Sequence, residues 1–223
     1  MMERRFNKIF CIGKNKTGTT SLHRALEALG FKSLSWAPLA PLGSRRVLAT
    51  RNDLANEVKD RIKENLRLNI PMLNGIDEYD AYSDIGKLTE NFVRLDKDYP
   101  ASVFIYTDRE TTAWIASRRK HINRRIEAIS SGKISDNKDY LIERLQKSSN
   151  DSDWRKSKED HKASVLEYFK DRPNDLLIID ITAGDGYQTL CPFLNVPIPE
   201  EAFPWENRIV SKSVRTGETQ FQK

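Results

Sequence analysis

Apolar residues in this chain gather into a few short runs, separated by stretches in which they recur every three or four positions. Residues 8–13 (KIFCIG) are one such run, closed by glycine, and residues 102–107 (SVFIYT) and 176–181 (LLIIDI) repeat the form. Runs without polar alternation suit strands covered on both faces, as in a parallel sheet. Residues 79–85 (YDAYSDI) are expected to add a fourth strand. Elsewhere the period changes to that of a helix. Leu22, Ala25, Leu26 and Leu29 share a stripe that stops at Gly30, and Leu54, Val58, Ile62 and Leu66 share another. Further helices are expected over residues 111–129 and 154–169, with a short one ending near Phe193. Residues 31–44, rich in Pro, Ala and Leu, read as loop. Strands alternating with helices predict an α/β fold of three layers, a central parallel sheet with helices on both faces.

The polar stretch around DYLIERLQ, flanked by serine clusters, reads as a helical insertion or cap over about 119–153. One domain is expected over 1–210, followed by a disordered tail at 211–223. The 223 residues suffice for one sizeable domain, and 38% hydrophobic with 31% charged residues makes it globular. No apolar run approaches the ~20 residues that span a bilayer, and no secretion segment is visible, so a cytoplasmic protein is expected. Cys11 and Cys191 sit among apolar residues and read as buried thiols. Neither they nor His23, His121 and His161 show metal-ligand spacing, so no metal site is expected. A net charge of +5 favours anionic ligands without choosing among nucleotides, nucleic acid and membranes.

The choice falls to residues 13–22, GKNKTGTTSL, between the first strand and the first helix. Gly13 and Gly18 have the spacing of a nucleotide-binding P-loop. Glycines let backbone N–H groups turn inward, a helix N-terminus adds its dipole, and the hydroxyls of Thr19, Thr20 and Ser21 add donors. Thr19 stands where an NTPase places the lysine that handles the terminal phosphates, so ATP chemistry is disfavoured. The lysines lie inside the loop instead, at Lys14 and Lys16.

Lys-Thr-Gly-Thr-Thr-Ser-Leu resembles the 5′-phosphosulfate loop of the sulfotransferases that use 3′-phosphoadenosine 5′-phosphosulfate (PAPS). The resemblance implies a P-loop-NTPase-like fold and donor binding by Lys14, Lys16, Thr17, Gly18, Thr19, Thr20 and Ser21, with Lys16 on the bridging oxygen. A second motif strengthens it. Arg109 follows the strand SVFIYT, and Ser117 lies eight residues on, the spacing of the family's 3′-phosphate site. A guanidinium grips phosphate bidentately, and a hydroxyl adds an uncharged donor. The implied reaction moves a sulfuryl group from PAPS to a hydroxyl or amine of a small-molecule, saccharide or lipid acceptor. It leaves PAP (3′-phosphoadenosine 5′-phosphate), with no metal, no nucleic acid and no membrane span.

The family's histidine base has no counterpart, because residues 70–100 contain no histidine. Asp84, at the end of YDAYSDI, is the first candidate for the base, with Asp80 its rival and His23 next. Arg215 and Gly217 faintly resemble the family's C-terminal donor clamp. Two other readings stay open: a P-loop kinase of a small metabolite, and a non-catalytic basic protein that binds nucleotide or nucleic acid. The kinase would need Mg²⁺; the nucleic-acid binder would need aromatics among its cations, which the basic run at 118–125 lacks.

Overall fold

The computed structural model describes residues 6–35, 48–131 and 138–205, with backbone alone for 48–56 and 138. Residues 36–47, the 211–223 tail and its 215–217 segment lie outside the described residues. Five strands form one sheet: β1 (Ile9–Cys11), β2 (Ser33–Ser35), β3 (Ala81–Ser83), β4 (Val103–Thr107) and β5 (Leu176–Ile179). Their order is β2-β3-β1-β4-β5, and every pair is parallel. Phe10 lies opposite Tyr82 on one side and Phe104 on the other.

The helices are α1 (Thr19–Ala28), α2 (Leu48–Arg67), α3 (Gly86–Glu90), α4 (Phe92–Asp98), α5 (Thr111–Ser130), α6 (Lys138–Lys147), α7 (Asp151–Phe169) and α8 (Tyr187–Leu194). Successive side chains of a strand point to opposite faces, so each strand feeds two cores. Ile9, Cys11 and Ile105 pack with Leu22 and Leu26 of α1 and Leu190 of α8. Phe10, Ile12 and Phe104 pack with Ile62 of α2, Leu95 of α4 and Phe169 of α7. The result is the expected α/β sandwich of helix, parallel sheet and helix. Both cysteines are buried and free.

β2 stands where the sequence reads as loop. Ser-Leu-Ser is half-buried at the sheet edge, and three polar-apolar-polar residues give too short a pattern to recognise. α3 and α4 were also unmarked, since neither carries a side-chain N-cap. The segment expected as a cap is continuous with the body at its start. α5 begins with the Glu110 carboxylate accepting from the Thr112 and Ala113 N–H groups, then runs unbroken through Ser130. Trp114, Ile115, Ile122 and Trp154 form a third core between α5 and α7, with Leu145 of α6 packed on it. No helix among the described residues is long and apolar enough to cross a membrane.

Candidate functional site

From β1 the chain builds β2 and β3 on one side, then returns to build β4 and β5 on the other. The crevice between β1 and β4 is therefore the topological switch point, where open α/β sheets bind ligands. The loop after β1 and Arg109 after β4 flank it. Contact between them is close: a Cβ on Gly13 would come within 2.7 Å of the Thr107 backbone nitrogen. The Thr17 hydroxyl donates to the Lys14 carbonyl (2.5 Å) and shares a hydrogen bond with the Thr107 hydroxyl (2.6 Å).

Side chains from two helices pin the loop further. The Trp114 indole N–H donates to the Asn15 carbonyl (2.8 Å), and Arg118 donates to the Asn15 side chain (2.9 Å). His161 of α7 donates from Nε2 to the Ile12 carbonyl (2.8 Å). Thus held, the loop carries Lys16 at φ 69° and Gly18 at φ 96°. Left-handed residues in such a turn aim backbone N–H groups into a common concavity. α1 starts at Thr19 behind Gly18, which has no side chain to cap the helix, so the positive end of the helix dipole opens at this loop.

Cations crowd this end of the sheet. Arg109 donates from Nη1 to the Lys16 carbonyl (3.1 Å), and its buried Nε has no partner among the described residues. Its neighbour Asp108 offers it no counter-charge, being held by Lys158 (2.7 Å) and Lys162 (2.6 Å). Burial pushes the Asp108 carboxyl up, but those two bonds prevail and hold it below its usual range. Loss of water lowers the Lys16 ammonium; Asp84 opposes this, while Arg124 and Arg109 reinforce it. His121 is likewise held low, by burial first and then by Lys16 and nearby arginines. Asp84 is the carboxylate facing this field. Burial pushes it up to about 6 against the pull of Lys16 and a hydrogen bond from Thr19.

The expected site residues separate by position. Lys16, Gly18, Thr19, Arg109 and Asp84 converge at the carboxyl edge of the sheet, and Thr20 and Ser117 are half-buried on the adjoining helices. Thr17 and Ser21 are buried, and the Thr17 hydroxyl is taken by the protein. Asp80 precedes β3, at the opposite end of that strand from Asp84, and its carboxylate accepts from the Lys32 N–H (2.8 Å). His23 is buried, its Nδ1 on Ser33 (2.7 Å) and its Nε2 3.6 Å from Glu27. Neither residue is brought to the cradle.

Asn15, Trp114 and Trp154 were missed as site residues. Arg118, the first residue of the basic run, is held between Trp114 and Trp154, 5.5 and 4.8 Å from their centroids. The one available signal was the i, i+4 spacing of Trp114 and Arg118. Beside the loop lies a cavity of about 490 Å³, lined by Lys14, Asp84, Trp114, Arg118, Trp154 and Ser157 among others.

Comparison with known proteins places the chain in a family. No curated protein matches the chain at a significant level. The family model described as "Sulfotransferase domain" matches residues 8–210, which take in all five strands. The chain belongs to the sulfotransferase domain family, whose members transfer sulfuryl groups.

Proposed function

We propose that this protein transfers a sulfuryl group from PAPS to a hydroxyl or amine of a small acceptor. The observation that carries the reading is the start of α1 at a glycine N-cap, behind the left-handed Lys16 and Gly18, faced by an arginine with no carboxylate partner among the described residues. That arrangement fits a dianionic group on the loop and a second phosphate at Arg109 and Ser117. PAPS supplies an activated sulfuryl group held on its 5′-phosphate. Backbone N–H groups of residues 18–21 and the Thr20 hydroxyl would hold that phosphate, and Lys16 would sit against the bridging oxygen.

Asp84 takes the acceptor proton as the acceptor oxygen or nitrogen forms its bond to sulfur. The sulfur–oxygen bond to the 5′-phosphate breaks, and the electron pair leaves with PAP. Lys16 offsets the charge that develops there, a role of lysine and backbone donors that needs no metal. A carboxyl near pH 6 is well matched to this work, because it is ionised at neutral pH yet more basic than an exposed aspartate.

Calorimetric titration of PAP and ADP, which differ in the 3′-phosphate, tests the donor assignment. Wild type is expected to prefer PAP. Arg109→Ala should lose most of that preference, roughly tenfold to a hundredfold for one charge-assisted contact. An Arg109→Ala variant that keeps the full preference removes Arg109 from the site.

A further inference from the structure

The cavity beside the cradle has an unbalanced wall. Four cations line it, Lys14, Lys59, Lys87 and Arg118, against the carboxylates of Asp84 and Glu90. Two of the four are engaged. Lys87 pairs with Glu90 (3.2 Å), and Arg118 is fixed between two indoles and hydrogen-bonded to Asn15. Lys14 and Lys59 are not so matched. Lys14 reaches the Ser157 hydroxyl at 3.3 Å, and neither lysine has a carboxylate within ion-pair distance among the described residues. Burial lowers the Lys14 ammonium, which Glu90 only partly offsets.

Lys14 also departs from the direction of Lys16. Lys16 is coupled to Asp84 and Arg109 at the cradle, whereas Lys14 lines the cavity and meets α7 across it. A desolvated ammonium with one neutral partner is stabilised by an incoming anion. The remaining walls include Ile62, Ile85 and indole edges, and the volume is in the range of small-molecule sites.

We propose that Lys14 and Lys59 receive an acidic group of the acceptor, a carboxylate or phosphate, so that the acceptor is a small anionic compound whose hydroxyl is directed at Asp84. This rests on the loop being the donor cradle and Asp84 the base. It moves Lys14 from the donor set, where the sequence puts it, to the acceptor.

The test uses full-length protein saturated with PAP and calorimetric titration of three matched probes: 4-hydroxyphenylacetate, (4-hydroxybenzyl)phosphonate and neutral 4-hydroxyphenylacetamide. At least one anionic probe should bind roughly tenfold or more tightly than the amide, as one charged contact implies. Which anion is preferred distinguishes carboxylate from phosphate recognition. Lys14→Met and Lys59→Met should each reduce that preference, and Lys14→Met should bind PAP within threefold of wild type. Charge-blind or absent probe binding overturns the proposal, as does a preference that neither substitution changes. A large loss of PAP affinity in Lys14→Met also overturns it and returns Lys14 to the donor. Failure of wild type to bind PAP is a separate outcome and strikes the donor reading itself.

Discussion

Asp84 joins two facts that pull in opposite directions. It sits at φ 57°, a left-handed backbone that aspartate tolerates better than most side chains, and its carboxyl is pushed from 3.8 to about 6, chiefly by burial. The folded state therefore holds this proton more tightly than the unfolded chain does. The stability this contributes is full below pH 3.8 and is lost as pH rises through about 6. At pH 8 the charge costs the folded protein up to ~3 kcal/mol. Asp84→Asn should accordingly raise the melting temperature at pH 8 and change it little near pH 4. In single-turnover transfer the same variant should be slower by ~10²–10⁴ with PAP affinity retained, and the wild-type rate should rise with pH through about 6. A variant that is neither stabilised nor slowed would remove Asp84 from the base role. Lys16 makes a simpler case: Lys16→Ala should lose ~10²–10³ in rate, and Lys14→Ala less. Equal losses would mean that the two lysines share one task.

Gly13 shows how elements, not single residues, set the loop. β1 and β4 approach so closely at Thr107 that a methyl group on Gly13 would meet backbone atoms that cannot turn aside. Gly13→Ala should cost ~1–3 kcal/mol as overpacking and weaken PAP binding, because the shifted loop carries Lys16 and Gly18. Unfolding by urea and titration with PAP would check both; a fully stable variant with normal PAP affinity would show the junction to be looser. The loop itself was legible, since its glycines, threonines and lysines are contiguous. The clamps on it were not. Asn15 is 99 residues from Trp114, and Ile12 is 149 from His161. No local pattern marks which partner of α5 or α7 a distant carbonyl will meet. Asp80 and Asp84 were rivals for a related reason. Both belong to YDAYSDI, and only the true extent of β3 puts one at the entry of the strand and the other at its exit.

At the scale of the whole molecule, the parallel sheet was readable because β1 and β4 are nearly uninterrupted apolar runs buried on both faces; β5 carries a similar run, but as an edge strand it leaves Ile178 exposed, so burial on both faces was wrongly expected there. The third core was not, because Trp114 and Trp154 lie on separate helices and no local pattern joins them. Their meeting around Arg118 closes α5 and α7 over the carboxyl edge of the sheet. A donor bound there would touch the loop after β1 and the segment after β4 together, so its binding energy should appear as stability of the entire domain. PAP at a hundredfold excess over its Kd adds ~2.7 kcal/mol. For a domain of this size that is a rise of roughly 5–10 °C in melting temperature. The shift should be the same with Mg²⁺ or with EDTA, since Lys16, Arg109 and backbone donors are the groups proposed to hold the phosphates. ADP and ATP should give less, lacking the 3′-phosphate that Arg109 and Ser117 are proposed to take. A larger shift from ATP that depends on Mg²⁺ would overturn the PAPS assignment in favour of phosphoryl transfer.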